Sequence, residues 1–154
     1  MHPEVNAAYS AALRWLTLRE YCETELLHKL RQKNFDDIAA ESAIEQLKHY
    51  GYLSDMRYAE ALFRYRLKKG DTPWIIAEKA RQKGVNEEAL QQALQSVEEV
   101  YDAKEACLAL LRKRDPEHQR RHDVKIWQRQ ARYLRNKGFN AATIMDALNH
   151  EDED

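Results

Sequence analysis

The sequence predicts an all-α fold, built as three tandem three-helix repeats that form an elongated, slightly curved array. Three observations carry this expectation. A phrase recurs: Arg31-Gln32-Lys33-Asn34-Phe35-Asp36 returns as Arg81-Gln82-Lys83-Gly84-Val85-Asn86 and as Arg135-Asn136-Lys137-Gly138-Phe139-Asn140, at offsets of 50 and 54 residues. Each copy reads as a helix end, a tight turn and a new helix start. Gly84 and Gly138 suit the left-handed residue that closes a helix, Asn34 is the usual substitute, and Asp36, Asn86 and Asn140 suit the N-cap that follows. The composition agrees: the 154 residues include only 4 Gly and 3 Pro, with many strong helix formers. The last helix of each repeat also superposes by counting, Ile44 on Leu94 and Leu148, and Ala43 on Ala93 and Ala147. Repetition at this period marks one helical unit used several times. Units of about 45 residues are too small to be stable alone, so neighbours must bury surface against each other.

Taken in order, repeat one covers residues 6–52. A first helix over about 6–20 buries Ala8, Ala12, Trp15 and Leu16 at helical spacing. After the link Tyr21-Cys22-Glu23, a second helix over about 23–33 carries Leu26, Leu27 and Leu30, and a third over about 37–49 carries Ile38, Ala40, Ile44 and Leu47. Repeat two covers 53–99. Ser54 or Asp55 caps its first helix, which places Tyr58, Ala59, Leu62 and Tyr65 on one face. Gly70 closes that helix, Thr72 caps the next, and Pro73 takes the first-turn position where a missing N–H costs nothing. Trp74, Ile76, Ala77 and Ala80 then form a buried stripe, followed by Ala89, Leu90, Ala93, Leu94 and Val97 in the third helix. Repeat three covers 100–150, with Ala106, Leu108, Leu110 and Leu111 in its first helix. A longer link, Arg114 to His118, accounts for the larger second offset. A helix over about 124–137 buries Ile126, Trp127, Ala131 and Leu134, and the last carries Ile144, Ala147 and Leu148. Residues 151–154 form an acidic tail.

Composition excludes several classes. Hydrophobic residues make up 44% of the chain and charged residues 33%, too apolar for disorder and highly charged for a compact enzyme. No apolar run approaches the ~20 residues needed to cross a membrane, and Met1-His2-Pro3-Glu4 does not open a secretory signal. The two cysteines, Cys22 and Cys107, fall in different repeats, so free thiols in a reducing cytoplasm are expected. No phosphate-binding glycine loop is present, and no convergent acid, base or nucleophile can be named, so the expectation is a non-enzyme without cofactor or metal. His118 and His122 would share a face if their stretch were helical, but with Cys107 they leave a tetrahedral metal site one ligand short. Cys107 reads as a buried thiol, whereas Cys22 sits at a cap and could be exposed. Trp15, Trp74 and Trp127 each fall in an apolar stripe and read as core.

The net charge of -1 hides an uneven distribution. Residues 112–137 hold ten Lys/Arg against three Asp/Glu, and residues 57–83 hold eight against three. Arg121, Lys125, Arg129 and Arg132 follow helical spacing, and the helix over 124–137 contains no acidic residue. A solvated face usually mixes both signs, so this stripe points to a polyanion or an acidic protein surface as partner. Arg57, Arg64, Lys68, Lys69, Arg81 and Lys83 supply the corresponding candidates in repeat two.

Several of these stretches carry a resemblance to a known family. Tyr50-Gly51-Tyr52-Leu53-Ser54-Asp55-Met56-Arg57-Tyr58-Ala59 is similar to the G-[YL]-L-x-D-x-R-[FY]-A phrase of the RecX regulators of RecA recombinase. Lys69-Gly70, Pro73, Ile76 and Arg81 to Val85 resemble the same family's K-G-x-x-P and L-x-x-K-G pattern, as does the opening from Ala12 to Leu30. The likeness covers nearly all of residues 8–150. The chain departs at Asp71-Thr72, where the family often has Tyr-Gly, at Cys22 in place of a Ser or Thr cap, and at Ala77 and Ala80 in place of larger residues. The resemblance implies a cytoplasmic, non-enzymatic regulator that lies in the groove of the RecA nucleoprotein filament. It would inhibit ATP hydrolysis, strand exchange and coprotease activity in recombination, repair and the SOS response. It leaves open direct contact with single- or double-stranded DNA. The short units and acidic tail point to a monomer. The competing reading is an independent DNA-binding module of helix-turn-helix type, against which the near-neutral total charge speaks.

Overall fold

In the computed structural model, residues 2–151 are described, and the expected acidic tail, residues 151–154, falls outside them except for Glu151. The described residues form nine α-helices and no strand. Unit one holds α1 (Pro3–Leu18), α2 (Glu23–Gln32) and α3 (Asp37–His49). Unit two holds α4 (Asp55–Lys68), α5 (Pro73–Gln82) and α6 (Glu87–Glu98). Unit three holds α7 (Ala103–Arg114), α8 (Val124–Asn136) and α9 (Ala141–Leu148), with a 3₁₀ turn at Gln119–Arg121 between its first two helices. The first helix starts earlier than its apolar spacing indicates, because Pro3 supplies a preset first turn.

The recurring phrase folds the same way three times. Asn34, Gly84 and Gly138 have φ of 68°, 83° and 104°. Behind each, a residue just past the turn donates to a carbonyl five positions back: Phe35 to Leu30 at 3.2 Å, Val85 to Ala80 at 3.1 Å, Phe139 to Leu134 at 3.2 Å. That bond is the Schellman closure, and the apolar donor packs under the turn. Asp36, Asn86 and Asn140 then accept from Ile38 N, Ala89 N and Thr143 N, capping the next helix. Ser54 caps α4 in the same manner, accepting from Arg57 N.

Each unit has its own core. Ala8, Ala12, Leu26, Leu30, Ala40, Ala43 and Leu47 centre the first, Ala59, Phe63, Ile76, Ala80 and Leu90 the second, and Cys107, Leu111, Leu134, Phe139, Ile144 and Leu148 the third. All extensive helix–helix packing lies within a unit. Leu53 packs into the first core and Cys22 into the second.

Four expectations are corrected. Ile38 is 75% exposed, because α3 buries Ala39, Ala40, Ala43, Ile44 and Leu47, a stripe that leaves Ile38 on the outer side of the first turn. Tyr65 is 59% exposed and Phe63 is buried in its place, since Tyr58, Ala59 and Phe63 form the inward stripe of α4. Trp74 is 41% exposed, and Trp15 and Trp127 are only half-buried. Cys22 is fully buried rather than an open cap.

The units join in series through one contact made twice. The second helix of a unit presents its N-terminus to the Lys-Gly turn of the next. In the first joint Cys22 Sγ donates to Lys83 O (3.3 Å) and Thr24 Oγ1 to Gly84 O (3.0 Å). In the second, Thr72 N donates to Lys137 O (2.9 Å) and the Trp74 indole N–H to Gly138 O. Cys22 and Thr72 are the N-caps of equivalent helices, and Thr24 and Trp74 follow each by two residues. The glycines are required here for space as well as for φ. A Cβ on Gly84 would lie 2.7 Å from Thr24 Cγ2, and one on Gly138 would lie 2.1 Å from Thr72 Oγ1.

Unit three carries a buried ion pair that sequence reasoning did not find. Arg120 donates to Asp115 Oδ2 at 3.0 Å and to Leu148 O at 3.1 Å, tying the link to the end of α9. Burial raises the Asp115 pKa, but hydrogen bonds from Gln119 N and from the Arg120 guanidinium and N outweigh it, leaving the pKa below its ordinary value. The pair therefore stabilises the fold above the ordinary carboxylate range, and that contribution fades as pH falls through the lowered pKa.

Candidate partner-binding surface

The basic residues singled out in the sequence separate into two groups by what they touch. One group is absorbed by the fold. Arg57 pairs with Glu20 (3.2 Å) and donates to Gly51 O (2.7 Å), bracing the start of α4. Arg81 pairs with Glu87 (3.2 Å) and Glu78 (3.7 Å), and the hydrogen bond it donates to Glu87 holds its pKa up. Lys69 lies 5.5 Å over the Tyr65 ring, and its carbonyl accepts from Lys137 Nζ. Arg121 is not on α8: it sits in the 3₁₀ turn and donates to His150 O (3.0 Å). The four-residue stripe is therefore a three-residue one, because the helix begins at Val124.

The other group is open. Lys125, Arg129 and Arg132 project from α8, all exposed and without an ion pair among the described residues. Arg64 and Lys68 are likewise exposed and unpaired on α4. Lys83 offers an exposed side chain even though its carbonyl is used in the first joint. Arg64 borders an open groove of about 490 Å³ between α4 and α6, floored by Phe63, Ala93 and Val97. Lys68 borders a smaller groove of about 250 Å³ between α4 and α7, opposite Lys113. The exposed Lys113 was counted in the basic block 112–137 but not singled out, because its neighbour Lys68 lies 45 residues earlier in the chain.

The inner side of α8 explains why its outer side is basic. Leu134 and Gln130 are buried, and Arg114 stacks 3.6 Å over Tyr133 while donating to Gln130 Oε1 (2.9 Å). The core contacts are thus complete without the three cations, which spend their charge on solvent.

Other chemistry is not assembled. Among the described residues no group of three His, Cys, Asp or Glu comes together to hold a metal. His118 adopts a left-handed conformation (φ 56°) before the 3₁₀ turn, so His118 and His122 do not share a helical face. Burial pushes the Cys22 and Cys107 thiols up to about 11 each, so neither is a thiolate near neutral pH. Among the described residues no helix is long and apolar enough to cross a membrane.

Comparison with known proteins places these features. Sequence models of the first, second and third RecX three-helix domains match residues 8–47, 54–94 and 102–148. A "Regulatory protein RecX" of Mannheimia succiniciproducens is 32% identical over 148 residues, covering 96% of this chain and 95% of that protein. One of Pseudomonas putida is 33% identical over 153 residues, covering 96% and 93%. A crystal structure of RecX from Lactobacillus salivarius shares the fold, with a TM-score of 0.76 at 20% identity and 94% of each chain covered. Another, described as regulatory protein RecX, also has a TM-score of 0.76 at 21% identity, covering 96% of this chain and 72% of that one. With all three domains matched in order and full-length relatives above 30% identity, the chain belongs to the RecX family of regulatory proteins.

Proposed function

We propose that this chain regulates RecA by binding the RecA–DNA filament. It would lie along the filament groove and reduce ATP hydrolysis, strand exchange and coprotease activity. The observation that supports this reading most is the exposed, unpaired cationic row Lys125, Arg129 and Arg132 on a helix with no acidic residue, in a chain of this family. Arg64, Lys68 and Lys83 extend the same chemistry to unit two. A body of repeated units suits a partner of repeated subunits, and weak contacts on one body add through effective concentration. Such a row attracts acidic protein surface and phosphate alike.

The test is RecA ATP hydrolysis on single-stranded DNA, titrated with this protein at substoichiometric ratios. Strong inhibition by the intact chain is expected, and weak inhibition by Lys125→Glu/Arg129→Glu/Arg132→Glu at unchanged helicity. Full inhibition by that variant removes the α8 row from the proposal. No inhibition by the intact, folded chain removes RecA, and salt-dependent binding to free DNA then favours the independent DNA-binding reading.

A further inference from the structure

The two joints raise a question about the ends. A contact that links unit one to two and unit two to three is a head-to-tail contact. Such contacts do not close on themselves and propagate into open assemblies unless something stops them. The chain carries the outer half of a joint at each end: the Lys33-Asn34 turn of unit one, and the N-terminal end of α8 in unit three. We propose that Asn34 and the extra first turn of α8 are stops that close both ends of the array to a second copy of this chain.

At the unit-one end, the stop is a side chain. The two turns used in joints have glycine at the left-handed position, and the preceding unit comes close enough to collide with a Cβ there, through Thr24 at the first joint and through Thr72 and Ile75 at the second. The unused turn has Asn34 instead, exposed and left-handed at φ 68°. Backbone conformation alone does not explain the difference, because all three turns share it. Only the two that receive a neighbour are glycine.

At the other end, the stop is helix length. Cys22 and Thr72 each stand eleven residues before the lysine of their own turn, and the residue at that distance in unit three is Ile126. There the helix does not begin. It runs on toward its N-terminus: α2 and α5 have 10 residues each, whereas α8 has 13. Three more residues extend a helix by about 4.5 Å, into the direction from which the next Lys-Gly turn approaches in the internal joints. The donors are also taken. Thr72 N is free to meet Lys137 O, but Ile126 N and Lys125 N both face Asp123 Oδ1, at 3.4 and 2.9 Å. A carbonyl arriving from a second copy would meet the exposed Asp123 carboxylate, with Lys125 N and Ile126 N already engaged by it.

The inference stands on the joints and not on the proposed function. Its consequence is a body of fixed length, in which copies bound side by side on any repeating partner do not fuse into a continuous strand of their own.

The test is sedimentation equilibrium of the full chain in four forms: unaltered, Asn34→Gly, deletion of residues 124–126 with Asp123→Thr, and both changes together. The unaltered chain and each single change are expected to keep the mass of one chain up to about 1 mM, the concentration at which a contact of about -4 kcal/mol is half-formed. The combination is expected to gain mass with concentration without a plateau. End-to-end growth of the unaltered chain overturns the proposal, as does a combined variant of full helicity that stays a single chain. A second measurement does not depend on the deletion folding. Gly138→Asn installs the stop inside the second joint, and a larger radius of gyration with a red-shifted Trp74 emission is expected at unchanged helicity. Unaltered scattering and emission in that variant would show that asparagine is tolerated in a joint, and would sink the idea.

Discussion

The two joints share a backbone geometry and differ in chemistry. In the first, a single carboxylate does the bracing: Asp55 Oδ1 accepts from Glu23 N at 2.8 Å and Oδ2 from Asn86 N at 2.7 Å, linking the starts of α2 and α6. In the second, the buried Asp71 gathers Lys79 (3.4 Å), Lys137 (3.5 Å) and Arg66 (3.6 Å), and Lys137 crosses from unit three to do so. Trp74 adds its ring edge-on to Tyr101 at 5.9 Å. A carboxylate that meets backbone N–H groups is held by geometry and weakly screened. Three cations around one carboxylate leave a surplus of positive charge that salt and polyanions reach. The first joint is therefore the less sensitive to salt, and the second the one that responds to its surroundings.

The largest difference between them in salt response is expected from the carboxylates. Asp71→Asn leaves three partly exposed cations around a neutral side chain and should lower stability by about 2 kcal/mol, less than a fully buried pair because solvent screens the cations. Asp55→Asn keeps one acceptor oxygen and should lose about 1–2 kcal/mol. Urea unfolding of both, at low and high salt, checks the order, and equal losses would erase the distinction. Next come the glycines. Gly138→Ala meets Thr72, fully buried, and the half-buried Ile75, and should cost about 3 kcal/mol. Gly84→Ala meets only Thr24, which is exposed and can turn away, so about 1–2 kcal/mol is expected. A larger effect at Gly84 in thermal melts would mean that the first joint is the tighter one. Trp74→Phe removes the N–H donated to Gly138 O but keeps an aromatic ring beside Tyr101, and about 1 kcal/mol is expected from the same melts. The smallest change is Thr72→Val. Thr72 Oγ1 is buried without a partner among the described residues, so replacing the hydroxyl by a methyl of similar size should shift stability by less than about 0.5 kcal/mol. A clear loss would reveal a bond made by that hydroxyl.

Sequence reasoning recovered what is local. The closing residues Asn34, Gly84 and Gly138 and the caps Asp36, Asn86 and Asn140 could be read because each depends on the backbone of its own few residues. Apolar periodicity placed the helices but misjudged individual depths. Trp74 looked like core and lies at a joint, and Tyr65 looked inward although Phe63 fills that space. In a chain of small units much apolar surface faces a neighbouring unit, and the 3.6-residue period marks a face without saying what covers it. The basic surface was read in the same partial way. Charge and spacing pointed to Lys125, Arg129 and Arg132. They also pointed to Arg57, Arg81 and Arg121, whose partners are the distant Glu20, the nearby Glu87 and Glu78, and the His150 carbonyl.

By itself, then, the sequence determined the repeat, the turns that punctuate it and the family it resembles, because short-range sterics and helix capping act within a single turn of chain. The tertiary structure alone decided which cations are free, how Arg120 and Asp115 find each other, and why a glycine stands at two of three equivalent turns. The last of these depends on the close approach of segments some 60 residues apart, as Cys22 and Lys83 are. Only the packing of one unit against the next brings such segments within hydrogen-bonding distance.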